Sequence, residues 1–409
     1  MLKMRLKFYL AIATVIFLVE LPRASSTGEE HLRAVIIFFR HGDRAPVSLY
    51  PTDPYNKTFW PMGLGQLTNL GKVQVYELGK WLKERYGGLL TVRESYVRST
   101  DYDRTLMSAE CCLAGLFPPD PNQTWNSELN WQPIPVHTTP LVNDAVLAME
   151  VPCERHRELY QSLVSNDLDE GTEELYDYIT QNAGRPVHNL RGLQDIYDTL
   201  HVEDLHNLTL PNWTKKVYPD QLRKLASYEF TLSTNTTQMA RLKTGLLFNE
   251  IYHNINDASF NSKPAMRMYS GHDTTLANLL NTLQIFDPHS PPYGAALLFE
   301  LRSKSDELYV NVVYKNSTTP TNITLKDCEF DCPLETFNKI LDEIRLDYED
   351  WVLECTMPLR SSRSTAQSAL FGFFITILLL SLFMYGILVV CNIRSRSNYV
   401  KIPEMENYL

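Results

Sequence analysis

The sequence predicts an α/β fold: a mixed central sheet with helices on both faces, an inserted helical cap domain, and a single transmembrane helix near the C-terminus. Three observations support this prediction. Short apolar strands pass directly into helical patterns, the strand pattern fades over a long acidic stretch in mid-chain, and an uncharged apolar run lies near the end. The chain has 409 residues, of which 44% are hydrophobic, so it can bury a large core.

The first 26 residues have the layout of a signal peptide. Lys3, Arg5 and Lys7 precede an apolar run over residues 8–18, and small residues follow up to Ser26. We expect residues 1–26 to be removed, which would place the following chain in the lumen of the secretory pathway or outside the cell.

The α/β domain is predicted over residues 27–145 and 256–358. Its strands are short runs rich in β-branched and aromatic residues, and the later strands predict some antiparallel pairing. The predicted strands cover residues 34–39, 95–98, 266–270, 296–301 and 308–314, and helices follow the first three from residue 68, over 105–116 and over 274–283. Residues 146–255 are acidic and helical in pattern, and they form the predicted cap domain.

The C-terminal part predicts a membrane anchor. Residues 369–390 are apolar and uncharged, and at about 1.5 Å per residue they are long enough to span a bilayer core of about 30 Å. Residues 359–368 form a serine-rich stalk before the anchor, and residues 391–409 form a short cytosolic tail after it. Together with a cleaved signal peptide, this arrangement predicts a type I topology.

Two further sequence patterns are typical of proteins in an oxidising, glycosylating compartment. Seven asparagines stand two residues before Ser or Thr and are predicted glycan acceptors: Asn56, Asn122, Asn207, Asn212, Asn235, Asn316 and Asn322. Cys328 and Cys332 are close enough in sequence to close a tight loop, and Cys153 with Cys355 would then form a long-range disulfide.

Composition and spacing argue against two classes of partner. The net charge of −10 leaves no basic surface to neutralise a nucleic-acid backbone, so we expect no nucleic-acid binding. The ten histidines show no metal-ligand spacing, and the Cys328 and Cys332 pair lacks a second ligand pair. We therefore expect neither a metal nor another cofactor.

Three polar motifs follow three predicted strands. Arg40-His41-Gly42-Asp43-Arg44 comes after the first strand, residues 98–104 (RSTDYDR) end the second, and Gly271-His272-Asp273 follows the third. In open α/β sheets, ligands bind outside the carboxyl ends of the strands, so the three motifs are expected to meet in one pocket. Each motif alone would be an ordinary surface turn, but all three at strand ends point to a site.

The residue types in this pocket are suited to phosphoryl transfer. Arg40, Arg44 and Arg104 present guanidinium groups that pair with phosphate oxygens and stabilise the transition state. Their positive charge favours a neutral His41, whose free nitrogen lone pair can attack phosphorus. His272 can donate a further hydrogen bond to the phosphoryl group.

Asp273 is the predicted proton donor to the leaving group, and it could next activate the water that releases phosphate. Because the donor must be protonated, this assignment predicts activity at acidic pH. Asp43, Asp101 and Asp103 are competing acids, which we assign to bracing the arginines and the loop backbone.

At these residues the chain resembles the histidine acid phosphatases, in the branch that contains lysosomal, prostatic and testicular acid phosphatases. The motifs that carry the resemblance are FFRHGDRAP at 38–46, WPMGLGQLT at 60–68, YVRSTDYDRTLMSAE at 96–110, WQPIPVHT at 131–138 and YSGHDTTL at 269–276. The resemblance implies the histidine phosphatase fold, a phosphohistidine on His41, and hydrolysis of phosphate monoesters. It also implies phosphate contacts from Arg40, Arg44, Arg104 and His272, with Asp273 as the proton donor.

The resemblance also bears on the oligomeric state and the subcellular location. It implies a homodimer, with Trp131 and His137 at positions of the family's subunit interface. In the tail, Tyr399 and Ile402 form a Tyr-x-x-hydrophobic pattern of the kind that endocytic adaptors bind. Lysosomal or endosomal membrane, with a lumenal catalytic domain, is the expected location, and the plasma membrane is the alternative.

Two other functions compete with this interpretation. A catalytically idle cell-surface binding protein could retain the fold, but it would be expected to lose His41, Asp273 or an arginine, and all are present. An inositol-polyphosphate phosphatase would use similar motifs, but a strongly basic cap would favour it and the predicted cap is acidic.

Overall fold

The structure is a computed structural model that describes residues 30–164, 170–259, 265–305, 307–316, 319–357 and 362–397. The signal peptide at 1–26 and the tail residues Tyr399 and Ile402 lie outside the described residues. The chain divides into two units, one that ends at Cys355 and one that begins at Thr356.

The first unit alternates strands and helices as an α/β fold does. Its strands are β1 (His31–Arg40), β2 (Ser95–Thr100), β3 (His137–Thr139), β4 (Ala265–Gly271), β5 (Ala296–Lys304), β6 (Glu307–Lys315), β7 (Pro320–Ile323) and β8 (Cys332–Pro333). Its helices are α1 (Asn69–Tyr86), α2 (Asp103–Leu116), α3 (Glu154–Val164), α4 (Glu170–Ala183), α5 (Leu190–Leu205), α6 (Asp220–Leu232), α7 (Thr237–Ser259), α8 (Asp273–Thr282), α9 (Leu334–Asp342) and α10 (Tyr348–Thr356).

These eight strands form one mixed sheet in the order β3-β2-β4-β1-β5-β6-β7, with β8 also paired with β6. The strands from β3 to β1 are parallel, and β5, β6, β7 and β8 pair antiparallel. The predicted mixed sheet is therefore confirmed. β1 lies in the middle with both faces covered, which explains its nearly continuous run of apolar residues.

Helices cover both faces of the sheet. One apolar cluster joins alternate residues of β1, such as Ile36 and Phe38, to α7, α8 and α9. The other joins the intervening residues, such as Val35 and Ile37, to α1 and α2. The twofold alternation of side chains along a strand thus divides one apolar run between two cores.

The segment between β3 and β4 is helical, in keeping with its sequence pattern. Part of it has an apolar cluster of its own, formed mainly by α4, α5 and α6. The long helix α7, however, packs Leu247, Phe248 and Ile251 into the core beside the sheet. The boundaries of a cap domain at residues 146–255 stay a prediction.

The second unit contains one long helix, α11 (Ser362–Ser397). Within it, Phe373–Arg394 is long and apolar enough to cross a membrane. This segment overlaps the predicted anchor at 369–390, and most of the predicted stalk at 359–368 falls in the first turns of the same helix.

Candidate active site

The three sequence motifs meet at one edge of the sheet. β2, β4 and β1 are neighbours and run parallel, so their carboxyl ends lie side by side. Arg40 pairs in register with Gly271, and the backbone N–H of His41 donates to Gly271 O at 3.0 Å. The residues predicted to form one pocket are therefore together in space.

A close approach of two backbones fixes the loop after β1. A Cβ added to Gly42 would lie 2.1 Å from Gly71 O, and a Cβ added to Gly71 would lie 2.1 Å from Asp43 O. Only glycine at both positions allows the loop to rest on the first turn of α1. The loop is thereby held between the sheet and this helix.

His41 is buried at the centre of the site. Its Nδ1 lies 2.7 Å from Gly42 O, and because a carbonyl can only accept, Nδ1 carries the proton. Its Nε2 then has a free lone pair, toward which Arg104 Nε donates at 3.2 Å. Burial, followed by the charge of Arg40 and Arg104, holds the His41 pKa well below its usual value, so the ring is neutral.

Arg40 is held from three sides. Its Nη2 lies 2.8 Å from Asp273 Oδ2, and its Nη1 donates to Pro291 O at 2.6 Å. The Tyr293 ring covers the guanidinium, with the Arg40 Cζ 4.0 Å from the ring centroid. These contacts leave Arg40 little rotational freedom.

The other two arginines are also fixed by neighbours. Arg44 Nη2 donates to both oxygens of Asp198, at 2.9 and 3.0 Å. Although burial alone would lower the Arg44 pKa, the Asp198 charge raises it, so the guanidinium is charged. Arg104 stacks on the Tyr102 ring, with its Cζ 4.5 Å from the centroid.

His272 and Asp273 stand at the start of α8. The His272 ring lies 5.5 Å from the His41 ring, and its Nε2 is 3.0 Å from Thr100 Oγ1. Burial and the Arg104 charge lower the His272 pKa to about 3, so this ring is neutral as well. Burial would raise the Asp273 pKa, but Arg40 and Arg44 outweigh it, and the pKa lies below its usual value.

Three residues of this site gave no signal in the sequence. Asp198, on α5, lies 154 residues after its partner Arg44. His206 holds Asp43 Oδ2 at 2.8 Å, and Tyr293 covers Arg40 from the loop before β5. Sequence spacing could not indicate them, because none lies in a motif at a strand end.

The competing acids do not contact the arginines of the site. Asp43 is fully buried and accepts from Thr68 Oγ1 and His206, so it braces the loop. Asp103 accepts from Gln66 Nε2 at 3.0 Å, and Asp101 is exposed. The arginines are braced instead by Asp198 and Asp273.

The predicted cysteine pairs are both formed in the structure: Cys153 with Cys355, and Cys328 with Cys332. All seven predicted glycan acceptors are exposed: Asn56, Asn122, Asn207, Asn212, Asn235, Asn316 and Asn322. His137 is exposed on β3, the edge strand, where it stacks on Tyr96 with the centroids 4.9 Å apart. Trp131 is half-buried and lies against Trp125.

Comparison with known proteins agrees with this geometry. The model of the histidine phosphatase superfamily, branch 2, matches residues 31–315. Lysosomal acid phosphatase of Homo sapiens is 37% identical over 347 residues, which cover 81% of this chain and 82% of that protein. Prostatic acid phosphatase of Homo sapiens is 38% identical over 357 residues, which cover 83% of this chain and 91% of that protein.

Solved structures share the fold at lower identity. The apo form of Hafnia alvei phytase superposes with a TM-score of 0.60 at 20% identity and covers 80% of this chain and 99% of its own. Identity at that level shows only a shared fold, whereas the family model and the two acid phosphatase sequences show the family. The chain therefore belongs to the histidine phosphatase superfamily, branch 2.

Proposed function

We propose that this protein is an acid phosphatase that hydrolyses phosphate monoesters through a phosphohistidine on His41. One observation carries the proposal: the neutral His41 ring presents an unprotonated Nε2 where Arg40, Arg44 and Arg104 act together. A nucleophile surrounded by guanidinium groups is suited to a phosphorus centre whose oxygens carry negative charge.

In the first step, His41 Nε2 attacks the phosphorus atom and the bond between phosphorus and the ester oxygen breaks. The leaving oxygen takes that electron pair and receives the proton of Asp273. The arginines hold the phosphoryl oxygens, and the Nδ1 hydrogen bond to Gly42 O supports the positive charge that forms on the His41 ring.

In the second step, water attacks the phosphohistidine on the same phosphorus. Asp273, now a carboxylate, takes a proton from the water, and the bond between phosphorus and Nε2 breaks. The electron pair returns to Nε2, so His41 is neutral again, inorganic phosphate is free to leave, and Asp273 is protonated for the next cycle.

The state of Asp273 explains why acidic pH is needed. Its pKa is lowered in the free enzyme by Arg40 and Arg44, against the effect of burial. A bound phosphoryl anion would neutralise those arginines and raise the pKa toward its usual range. The donor is thus protonated when substrate is bound and the surrounding solution is acidic.

The first test is hydrolysis of a generic aryl phosphate by the purified ectodomain from about pH 4 to about pH 8, without added metal. His41→Ala should lose more than about a thousandfold in activity, because the nucleophile is gone. His253→Ala is a matched control, since His253 is an exposed histidine on α7. Activity that survives in His41→Ala would disprove the mechanism, and an inactive, folded wild type would favour a binding protein.

We propose a lysosomal or endosomal membrane location with the catalytic unit in the lumen. The anchor segment Phe373–Arg394 and the exposed glycan acceptors support this placement, and the plasma membrane is the alternative. Within the tail, Tyr399 and Ile402 are the proposed adaptor signal. Tyr399→Ala should shift the protein from internal compartments to the cell surface, which surface biotinylation would measure.

We also propose a homodimer through the edge of the sheet at β3. His137 is exposed there and Trp131 lies close by in sequence, half-buried. The substitution of both by alanine should convert a dimeric ectodomain into a monomer in analytical ultracentrifugation. A wild-type ectodomain that sediments as a monomer would overturn this part.

A further inference from the structure

One face of α5 is in contact with the chain segment that begins with the loop after β1, which we call the catalytic loop, and ends near residue 55. The contacts lie along one side of the helix, because Asp198 is adjacent to Thr199 and His206, directly after the helix, follows Thr199 by seven residues, or about two turns. In chain order they are Asp198 with Arg44, Thr199 Oγ1 with Ser48 O at 2.9 Å, and His206 with Asp43 at 2.8 Å. This face therefore positions two residues of the catalytic loop.

Glu203 lies on the same face, and its environment is unusual. The residue is fully buried, and no N–H or O–H donor of the described residues reaches either of its carboxyl oxygens. Its carboxyl group lies within hydrogen-bonding reach of the Asp53 carboxyl. Asp53 Oδ1 accepts from Tyr55 N at 2.7 Å, whereas its Oδ2 is buried and receives no hydrogen bond from the residues that the structure describes.

Within the part of the chain that the structure describes, no positive charge offsets this pair. Among the described residues, neither carboxyl has a Lys, Arg or His as an electrostatic partner. Four titratable groups surround the pair. The buried Tyr50 hydroxyl meets no hydrogen-bond partner among the described residues, and the Tyr55 hydroxyl donates to Thr209 O. Asp204 and His206, the neighbours along the chain, contact Tyr218 and Asp43. Two carboxylates in contact without a cation would repel each other and lose their hydration.

We propose that Glu203 and Asp53 share one proton, and that this proton fastens α5 to the segment that follows the catalytic loop. A protonated carboxyl can donate to its ionised partner, so a single proton gives the pair both its hydrogen bond and a single charge. Glu203 is thus a positioning residue: it touches no reacting atom, but it holds the helix that carries Asp198 and His206.

The consequence is a stability that depends on pH. Burial and the Asp53 charge raise the Glu203 pKa to about 8, far above its value in an unfolded chain. Between the unfolded and folded pKa values the native state binds one more proton, so each rise in pH weakens the native state. The stabilisation is complete at strongly acidic pH and is lost as the pH approaches about 8.

The experiment is thermal unfolding of the ectodomain, with Tm measured from pH 5 to pH 8 in wild type, Glu203→Gln and Glu77→Gln. The amide of glutamine can donate to Asp53 at every pH, so Glu203→Gln should flatten the fall in Tm by up to roughly 2 °C per pH unit. Glu77 is an exposed partner of Lys80, so Glu77→Gln should keep the wild-type slope. Equal slopes in all three proteins would overturn the proposal.

One further measurement keeps the test decisive if Glu203→Gln fails to fold. The infrared carbonyl band of a protonated carboxylic acid should be present in wild type at pH 7, and it should shift or disappear in Asp53→Asn, because the proton no longer lies between two carboxyl groups. An unchanged band in Asp53→Asn would contradict the shared proton. Both readouts need no substrate, so their outcome is separate from that of the proposed phosphatase activity.

Discussion

Arg40 Nη2 lies 2.8 Å from Asp273 Oδ2, so the proposed proton donor is ion-paired with a phosphate-binding guanidinium before any substrate arrives. Phosphate and Asp273 therefore compete for the same positive charge. Because Arg40 and Arg44 keep the Asp273 pKa low in the free protein, binding of a phosphate anion should be accompanied by proton uptake.

This linkage predicts how the affinity of the protein for an inhibitory phosphate anion depends on pH. Inorganic phosphate should bind more weakly as pH rises, and Asp273→Asn should lose the part of that dependence that comes from Asp273. Calorimetric titration in buffers of different ionisation enthalpy would count the protons taken up. The same proton count in wild type and Asp273→Asn would show that Asp273 does not titrate on binding.

Asp273→Asn should affect substrates according to their leaving groups. Alkyl phosphates should lose about 10²- to 10⁴-fold in kcat, because their leaving oxygen needs a proton. A nitrophenyl phosphate has a stable leaving anion, so it should lose much less in the phosphorylation step and should accumulate phosphoenzyme. An equal loss in the rate of the phosphorylation step across leaving groups would argue against a proton donor at this position.

Asp198→Asn should weaken substrate binding through Arg44. The bidentate pair from Asp198 to Arg44 Nη2 is charge-assisted, and its loss should lower kcat/KM roughly tenfold, mainly through KM. Asp195→Asn on the same helix is the matched control, since Asp195 pairs with Arg185 at 3.8 Å. Equal values of kcat and KM for the two variants would show that Asp198 does not support substrate binding through Arg44.

Gly71→Ala should destabilise the protein although glycine is usually a poor residue within a helix. The new Cβ would lie 2.1 Å from Asp43 O, so the catalytic loop would have to move away from α1. We expect a loss of about 2 to 4 kcal/mol in the free energy of unfolding, together with lower activity. Gly88→Ala, where a Cβ meets nothing within 4 Å, should be nearly neutral in denaturant unfolding.

Removal of the two disulfides should have unequal effects. The Cys153 to Cys355 bridge joins residues 202 apart in sequence, whereas Cys328 and Cys332 are 4 apart. A longer closed loop restricts the unfolded chain more, so replacement of Cys153 and Cys355 by serine should cost about 2 to 5 kcal/mol and the other pair less. Thermal unfolding of the two double variants would compare them, and a larger cost for the short loop would contradict this expectation.

The sequence predicted the sheet and the reactive residues because both depend on local patterns. β1 is a continuous apolar run that ends directly at Arg40, and Asp273 begins α8 directly after β4. Parallel strands then bring their ends together without any further information.

The supporting residues could not be predicted in the same way. Asp198 lies in a helix whose apolar pattern gives no sign of its partner Arg44, and Glu203 meets Asp53 from 150 positions further along. Such pairs depend on how α5 rests on the catalytic loop, which no periodicity in the sequence records. The packing of α7 against the sheet could not be predicted for the same reason, because its apolar face could equally have packed within a cap domain.

The position of α5 has a consequence for engineering. The segment that contains α4, α5 and α6 looks exchangeable, because the chemistry comes from loops outside it and these three helices share a separate apolar cluster. Yet Asp198 and His206 reach from it to Arg44 and Asp43. A chimaera that imports this segment from another phosphatase to alter selectivity would keep turnover only if these two contacts are imported with it.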